Sequence, residues 1–124
     1  MTKIPTLLET LKKGKKRVEA GWTQGVWARA VEGQTVDPDD SRAVEWCASG
    51  AIKGPNINAA LHWLSHVIQP EMDPMKVDVL ILGHFIVNWN DEKERTQEEV
   101  LEAFDLAIEL ARKAESNEKV SNAS

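Results

Sequence analysis

Gly21-Trp22-Thr23-Gln24-Gly25-Val26-Trp27-Ala28-Arg29-Ala30-Val31-Glu32-Gly33-Gln34-Thr35-Val36 decides how this chain is read. Val26–Val31 and Gln34–Val36 are rich in β-branched residues and flank Glu32-Gly33, which is a hairpin signal. Alternation puts Trp27, Arg29 and Val31 on one face and Val26, Ala28 and Ala30 on the other. A lone hairpin is marginal in water, so one of these faces must pack on helices. If that face is the Trp27 face, Arg29 goes inward with it and needs an anionic partner. Asp91 and Glu99 are the expected internal partners. The other reading is a ligand role, in which Trp22, Gln24, Arg29, Asn90, Asp91 and Arg95 line a cleft. Arginine suits planar anions, and Trp22 or Trp89 could stack on a base.

Downstream, Asp37-Pro38-Asp39-Asp40-Ser41 is a turn, and Asp40 or Ser41 is placed to cap a helix over 42–53. Ala43, Ala48, Gly50 and Ala51 in that segment would allow close backbone approach. Trp46 and the single Cys47 fall in its middle, and Gly54-Pro55 ends it. Upstream, Ile4, Leu7, Leu8, Leu11 and Val18 share a helical face over 4–20. Thr6 with Glu9 resembles a capping box, Gly14 weakens the middle, and Gly21 is the expected stop. The basic run Lys12–Arg17 reads as a solvated face, the other reading being a patch for an anionic partner.

A third helix starts at Asn56 or Asn58, with Ile57, Leu61, Leu64, Val67 and Ile68 as its apolar stripe, and Pro70 stops it. Residues 71–90 are ambiguous. Asp73-Pro74 looks like a helix start, whereas the β-branched run Val77–Val87 suits a strand; helix is the preferred reading. Thr96-Gln97-Glu98-Glu99 is a capping box for a last helix that buries Val100, Phe104, Ala107, Ile108 and Ala111. The expected fold is mainly α (α+β), four or five helices packed with one small β-hairpin. Residues 1–115 are expected to form one globular domain and 116–124 a polar, frayed tail.

The chain has 124 residues, enough for one domain with a sizeable core. Its net charge of −5 argues against nucleic acid as a partner. One cysteine fits a reducing compartment. No secretory signal is read at the N-terminus, and the longest apolar run, Val79–Leu82, is far short of a membrane span.

Three blocks carry a family resemblance. They are Trp22-Thr23-Gln24-Gly25 with Ala28-Arg29; Trp46-Cys47 with Gly50-Ala51; and Asn90-Asp91 with Arg95-Thr96 and Glu99-Val100, continuing to Asp105, Ala107 and Ile108. In this order they resemble a family of small, uncharacterised bacterial and phage proteins, a domain of unknown function. Residues 54–87, with all three histidines, match no pattern associated with that family. The loop Asp91-Glu92-Lys93-Glu94 is more charged than its usual version. The resemblance implies a cytoplasmic protein of phage or mobile-element ancestry and no particular reaction.

His62 and His66 have metal-ligand spacing but lack the glutamate that zinc peptidases place beside the first histidine, so no metal is expected. Cys47 reads as a packing residue rather than a nucleophile. The leading expectation is a non-catalytic binding protein that modulates a host factor or binds a small anionic ligand. The alternative is a small enzyme using Arg29, Asn90, Asp91 and Arg95. No cofactor is expected. A host protein or a second copy in a homodimer is the expected partner, and no membrane.

Overall fold

The structure, a computed structural model, describes residues 6–71, 73 and 76–123. Ile4 and Pro74, assigned above to helix positions, lie outside the described residues. The order is α1 (Leu7–Ala20), β1 (Ala28–Ala30), β2 (Ala43–Trp46), α2 (Ile57–Ile68), α3 (Val79–Asn90) and α4 (Gln97–Ala123). Among the described residues, four helices with one two-stranded antiparallel sheet make the fold mainly α. Among the described residues no helix is long and apolar enough to cross a membrane.

The helix starts follow from their caps. Thr6 Oγ1 accepts the Glu9 amide at 3.1 Å at the head of α1. At the head of α4 the box is reciprocal. The Glu99 amide donates to Thr96 Oγ1 at 3.2 Å, and the Thr96 amide donates to Glu99 Oε1 at 2.9 Å. Asp78 caps α3 by accepting the Leu80 amide at 2.8 Å. The ambiguous stretch is therefore a helix, and it begins at Val79 rather than just after Asp73. α4 reaches Ala123, into the polar stretch from Ser116.

α1 lies along α4, and α2 bridges α4 and α3. Leu11, Val18, Ile52, Leu64, Ile86, Val100 and Phe104 form the buried centre. Gly14 sits where a side chain cannot, since a Cβ there would be 2.8 Å from Cε1 of the fully buried Phe104. Gln97 Nε2 donates to the Val18 carbonyl at 2.7 Å, and Lys15 pairs with Asp105 at 2.7 Å. Both bonds tie α1 to α4.

The helix expected over 42–53 is not there. Residues 43–46 are β2, and 48–51 are a turn. The Asp40 carboxylate accepts the Arg42 amide at 2.8 Å and its guanidinium at 2.9 Å. A bond to the amide two residues on is common to a helix N-cap and to an Asx turn, so local chemistry does not separate the two. Pairing separates them. Ala28 faces Trp46 and Ala30 faces Ala43, with a bulge beside Arg29. The expected partner Gln34–Val36 is also present, as a bridge between Arg29 and Thr35 on the other edge of β1. The Val36 amide donates to the Ala28 carbonyl at 3.1 Å. The small residues do allow close approach, though in a turn. A Cβ at Gly50 would collide with the Trp27 carbonyl, and one at Gly21 with the Val44 carbonyl.

Candidate functional site

Two places could carry function: the polar cluster foreseen in the sequence, and an apolar groove that was not.

The cluster is centred on Asn90, the last residue of α3, whose side chain is fully buried. Its Oδ1 accepts the Trp22 indole N–H at 2.7 Å and the Ala48 amide at 2.9 Å. Its Nδ2 donates to the Thr23 carbonyl at 3.1 Å and to Asp91 Oδ1 at 2.9 Å. One carboxamide thus touches all three sequence blocks, and all of its ordinary bonding positions are filled. Gln24 Nε2 donates to the carbonyls of Asn90 at 2.9 Å and Glu92 at 2.8 Å. Asp91 Oδ1 also accepts the Gly25 amide at 2.9 Å, where Gly25 has φ of 83°. The loop 22–25 is therefore clasped to the C-terminal end of α3.

Arg29 joins this cluster from its edge, and without a carboxylate. Its Nε donates to Thr23 Oγ1 at 2.8 Å, Nη1 to the Gly33 carbonyl at 3.0 Å and Nη2 to the Gln24 carbonyl at 3.3 Å. The expected ion pair with Asp91 or Glu99 is absent among the described residues. The premise behind it fails because Trp27 is 56% exposed while Ala28 and Ala30 are buried. The buried face of β1 meets Val36 and Ala43, where small side chains fit. Glu99 pairs instead with Arg95 at 3.4 Å, as does Glu92 at 2.6 Å. The Arg95 guanidinium lies over the Trp89 ring, 4.1 Å from its centre, and Nε donates to the Trp89 carbonyl at 3.0 Å.

Cys47 follows β2 rather than lying in a helix. It is fully buried, and its Sγ accepts the Gly50 amide at 3.3 Å. Burial pushes the thiol pKa up, against the lowering effect of that amide. His62 and His66 lie on α2, and the His66 ring stands edge-on to Trp63 at 6.4 Å. Among the described residues no group of His, Cys, Asp or Glu is placed to hold a metal ion.

The groove has a volume of about 660 Å³. Trp27 and Pro38 form one wall, the turn around Gly50 and Ile52 the floor, and α2 and α3 the other wall through Ile57, Leu61, Leu80 and Val87. Its rim carries His84 and the Lys53–Asp39 ion pair at 3.4 Å. Leu80 is 74% exposed and its neighbour Ile81 is 58% exposed. None of the six cluster residues lines this groove, nor the smaller cleft of about 430 Å³ between Trp27 and Arg42. The signal that could have found the groove is α3 itself. Val79 to Asn90 holds no Asp, Glu, Lys or Arg, and it has more apolar residues than one buried face needs, so Leu80 and Ile81 are left exposed.

The chain belongs to a family of unknown function, DUF6197. The match spans residues 3–110 and so runs through the stretch 54–87 that the three blocks leave out. No curated protein and no solved structure matches the chain.

Proposed function

We propose that this is a non-catalytic binding protein whose binding surface is the groove between Trp27 and α3. The observation that carries this reading is the exposure of Leu80 and Trp27 around a concave, largely apolar surface. Exposed apolar surface of this kind marks an interaction site in a soluble domain. A catalytic reading finds less support, because the bonding positions of Asn90 and much of the Arg29 and Arg95 guanidinia are taken up by neighbouring carbonyls and side chains. In the binding reading Trp22, Gln24, Arg29, Asn90, Asp91 and Arg95 serve the ligand indirectly. They clasp the loop leading to Trp27 onto the end of α3, which fixes the separation of the two groove walls. A phage or mobile-element ancestry fits a cytoplasmic accessory protein that modulates a host factor.

The test uses 8-anilinonaphthalene-1-sulfonate, an aromatic anion whose emission rises in apolar sites. A Cβ at Gly83 on the groove wall meets nothing within 4 Å, so Gly83→Leu directs an apolar side chain from that wall into the groove. Wild-type protein should bind the dye and Gly83→Leu should lose most of that binding, with near-ultraviolet circular dichroism unchanged. Equal binding by the two proteins would refute the groove as the binding surface.

A further inference from the structure

The charge on the groove walls selects among ligands, granted the reading of the groove as the binding surface. We infer that the groove takes a small organic monocation, its apolar body lying against α2 and α3 and its ammonium-type group beside Asp37 and Trp27.

The first argument is charge complementarity. Asp37, Asp39 and Lys53 line the groove, with His84 as the remaining titratable group. Lys53 is already engaged. Its Nζ pairs with Asp39 at 3.4 Å and lies 5.7 Å from the centre of the Trp46 ring. Asp37 is exposed, and among the described residues its carboxylate makes no ion pair or hydrogen bond. The groove therefore holds one carboxylate in excess, within a chain whose net charge is −5. A cation gains from both, whereas an anion meets Asp37 with the one lysine already shared.

The second argument is the aromatic beside that carboxylate. Trp27, Asp37 and Pro38 line both the groove and the smaller cleft, so they stand on the ridge between the two. The backbone of Trp27 is fixed, its carbonyl accepting the Cys47 amide at 3.1 Å, while its side chain leaves the residue 56% exposed. An indole face attracts an ammonium or guanidinium group within about 6 Å of its centre. The free carboxylate on the same ridge adds an ion pair to that attraction.

The third argument is size. A volume of about 660 Å³ falls within the roughly 300–1,000 Å³ of small-molecule sites. A protein partner would need about 800 Å² from this side, more than the groove walls present. Ile57, Leu61, Leu80 and Val87 give the wall facing Trp27 and Pro38 its apolar character. A ligand charged at one end and apolar over the rest matches that division.

Three compounds with one body and different charges test the inference: cationic 4-phenylbutylamine, neutral 4-phenylbutanol and anionic 4-phenylbutyrate, titrated calorimetrically at neutral pH and low salt. Wild type should bind the ammonium about tenfold more tightly than the alcohol, the combined effect of an exposed cation–π contact and a surface ion pair, and the carboxylate most weakly. That preference should shrink at high salt and in Asp37→Asn, and Trp27→Ala should weaken the ammonium most. Glu102→Gln, on the exposed face of α4, should leave the ranking as it is. The wild-type ranking needs no variant, so it decides the matter even where a variant fails to fold. Alcohol or carboxylate binding as tightly as the ammonium, a preference that persists in Asp37→Asn, or one that falls equally in Glu102→Gln would overturn the inference. The naphthalene dye enters the groove on its aromatic body and against this charge. Gly83-dependent dye binding without any preference for the ammonium therefore overturns the cation and leaves the binding reading standing. A protein that binds neither the dye nor any of the three compounds removes both.

Discussion

Replacing Asn90 by alanine removes an acceptor and a donor from a place that water does not reach. The Ala48 amide and the Thr23 carbonyl, both buried, lose their side-chain partner. Each orphaned group costs about 1–3 kcal/mol. The Trp22 indole N–H is only half-buried and regains a bond from solvent, so it adds little. The expected loss is about 3–4 kcal/mol, a large part of the roughly 5–15 kcal/mol that holds a domain together. Gln24→Ala is the control. It also breaks two bonds across the same clasp, but only the Asn90 carbonyl is buried while the Glu92 carbonyl meets solvent, and it should lose about 1–2 kcal/mol. Urea unfolding followed by tryptophan emission measures both, with an unchanged m-value confirming a common unfolded state. Amide exchange at Ala48 should quicken in Asn90→Ala by more than global destabilisation explains. A loss below about 1 kcal/mol at unchanged m would mean that the amide is replaced by water at no penalty. The clasp would then not be what joins the hairpin to α3.

Thr96→Ala removes one half of the capping box on α4 and should lower stability by about 1 kcal/mol, read as a shift in urea midpoint. Two glycine-to-alanine changes in helices should have opposite signs in the same assay. Gly83→Ala, with open space around it, gains about 0.5–1 kcal/mol. Gly14→Ala pushes on buried Phe104 and loses about 1 kcal/mol net, overpacking outweighing helix propensity. The Asp40 carboxyl is held down to about 2, first by its bond with the Arg42 side chain and then by the Arg42 amide. Its folded pKa lies below its unfolded value of about 3.9, so its contribution is present above pH 4 and lost as pH falls toward 2. Thermal melts across that window should show a shallower decline in Asp40→Asn than in wild type.

How much could be read from the sequence depends on how local the deciding physics is. α1 and α4 announce themselves through caps within four residues and a clear apolar stripe, and both capping threonines act as expected. α3 shows little period because apolar residues fill most of its faces, Leu80 and Ile81 standing on the same exposed side as His84 and Asn88, so strand and helix could be told apart only by its cap at Asp78 and its seat on α2. The segment 42–53 offered a helix cap at Asp40 or Ser41 and small residues, yet over 43–46 the ladder with β1 prevailed, a contact that no window around Asp40 contains. The same applies to the cluster. Polar residues beside tryptophans at both ends of the chain pointed to a meeting that the structure shows between 22–25 and 90–92, with Arg29 and Arg95 bonded only to neighbours on their own sides. The partner assigned to Arg29 was wrong because alternation groups residues by face without saying which face is buried.

The groove and the clasp are mechanically one object. Trp27 stands on the loop that Gln24 and Gly25 fasten to Asn90, Asp91 and Glu92, and Leu80 and Val87 stand on the helix that ends at those same residues. Loosening the clasp should therefore widen the groove without touching its lining. This separates a positioning role from a direct one. If the six polar residues position the walls, Gln24→Ala should weaken dye binding in the groove in step with its loss of stability, while Trp27→Ala should abolish binding with little loss of stability, since its side chain is largely exposed. If Arg29 or Arg95 instead meets the dye sulfonate directly, raising the salt concentration should weaken binding by the wild type and not by the corresponding alanine variant. Titrations at low and high salt read both outcomes, and a salt dependence that survives in both alanine variants would assign the sulfonate to Lys53 on the groove rim rather than to either arginine.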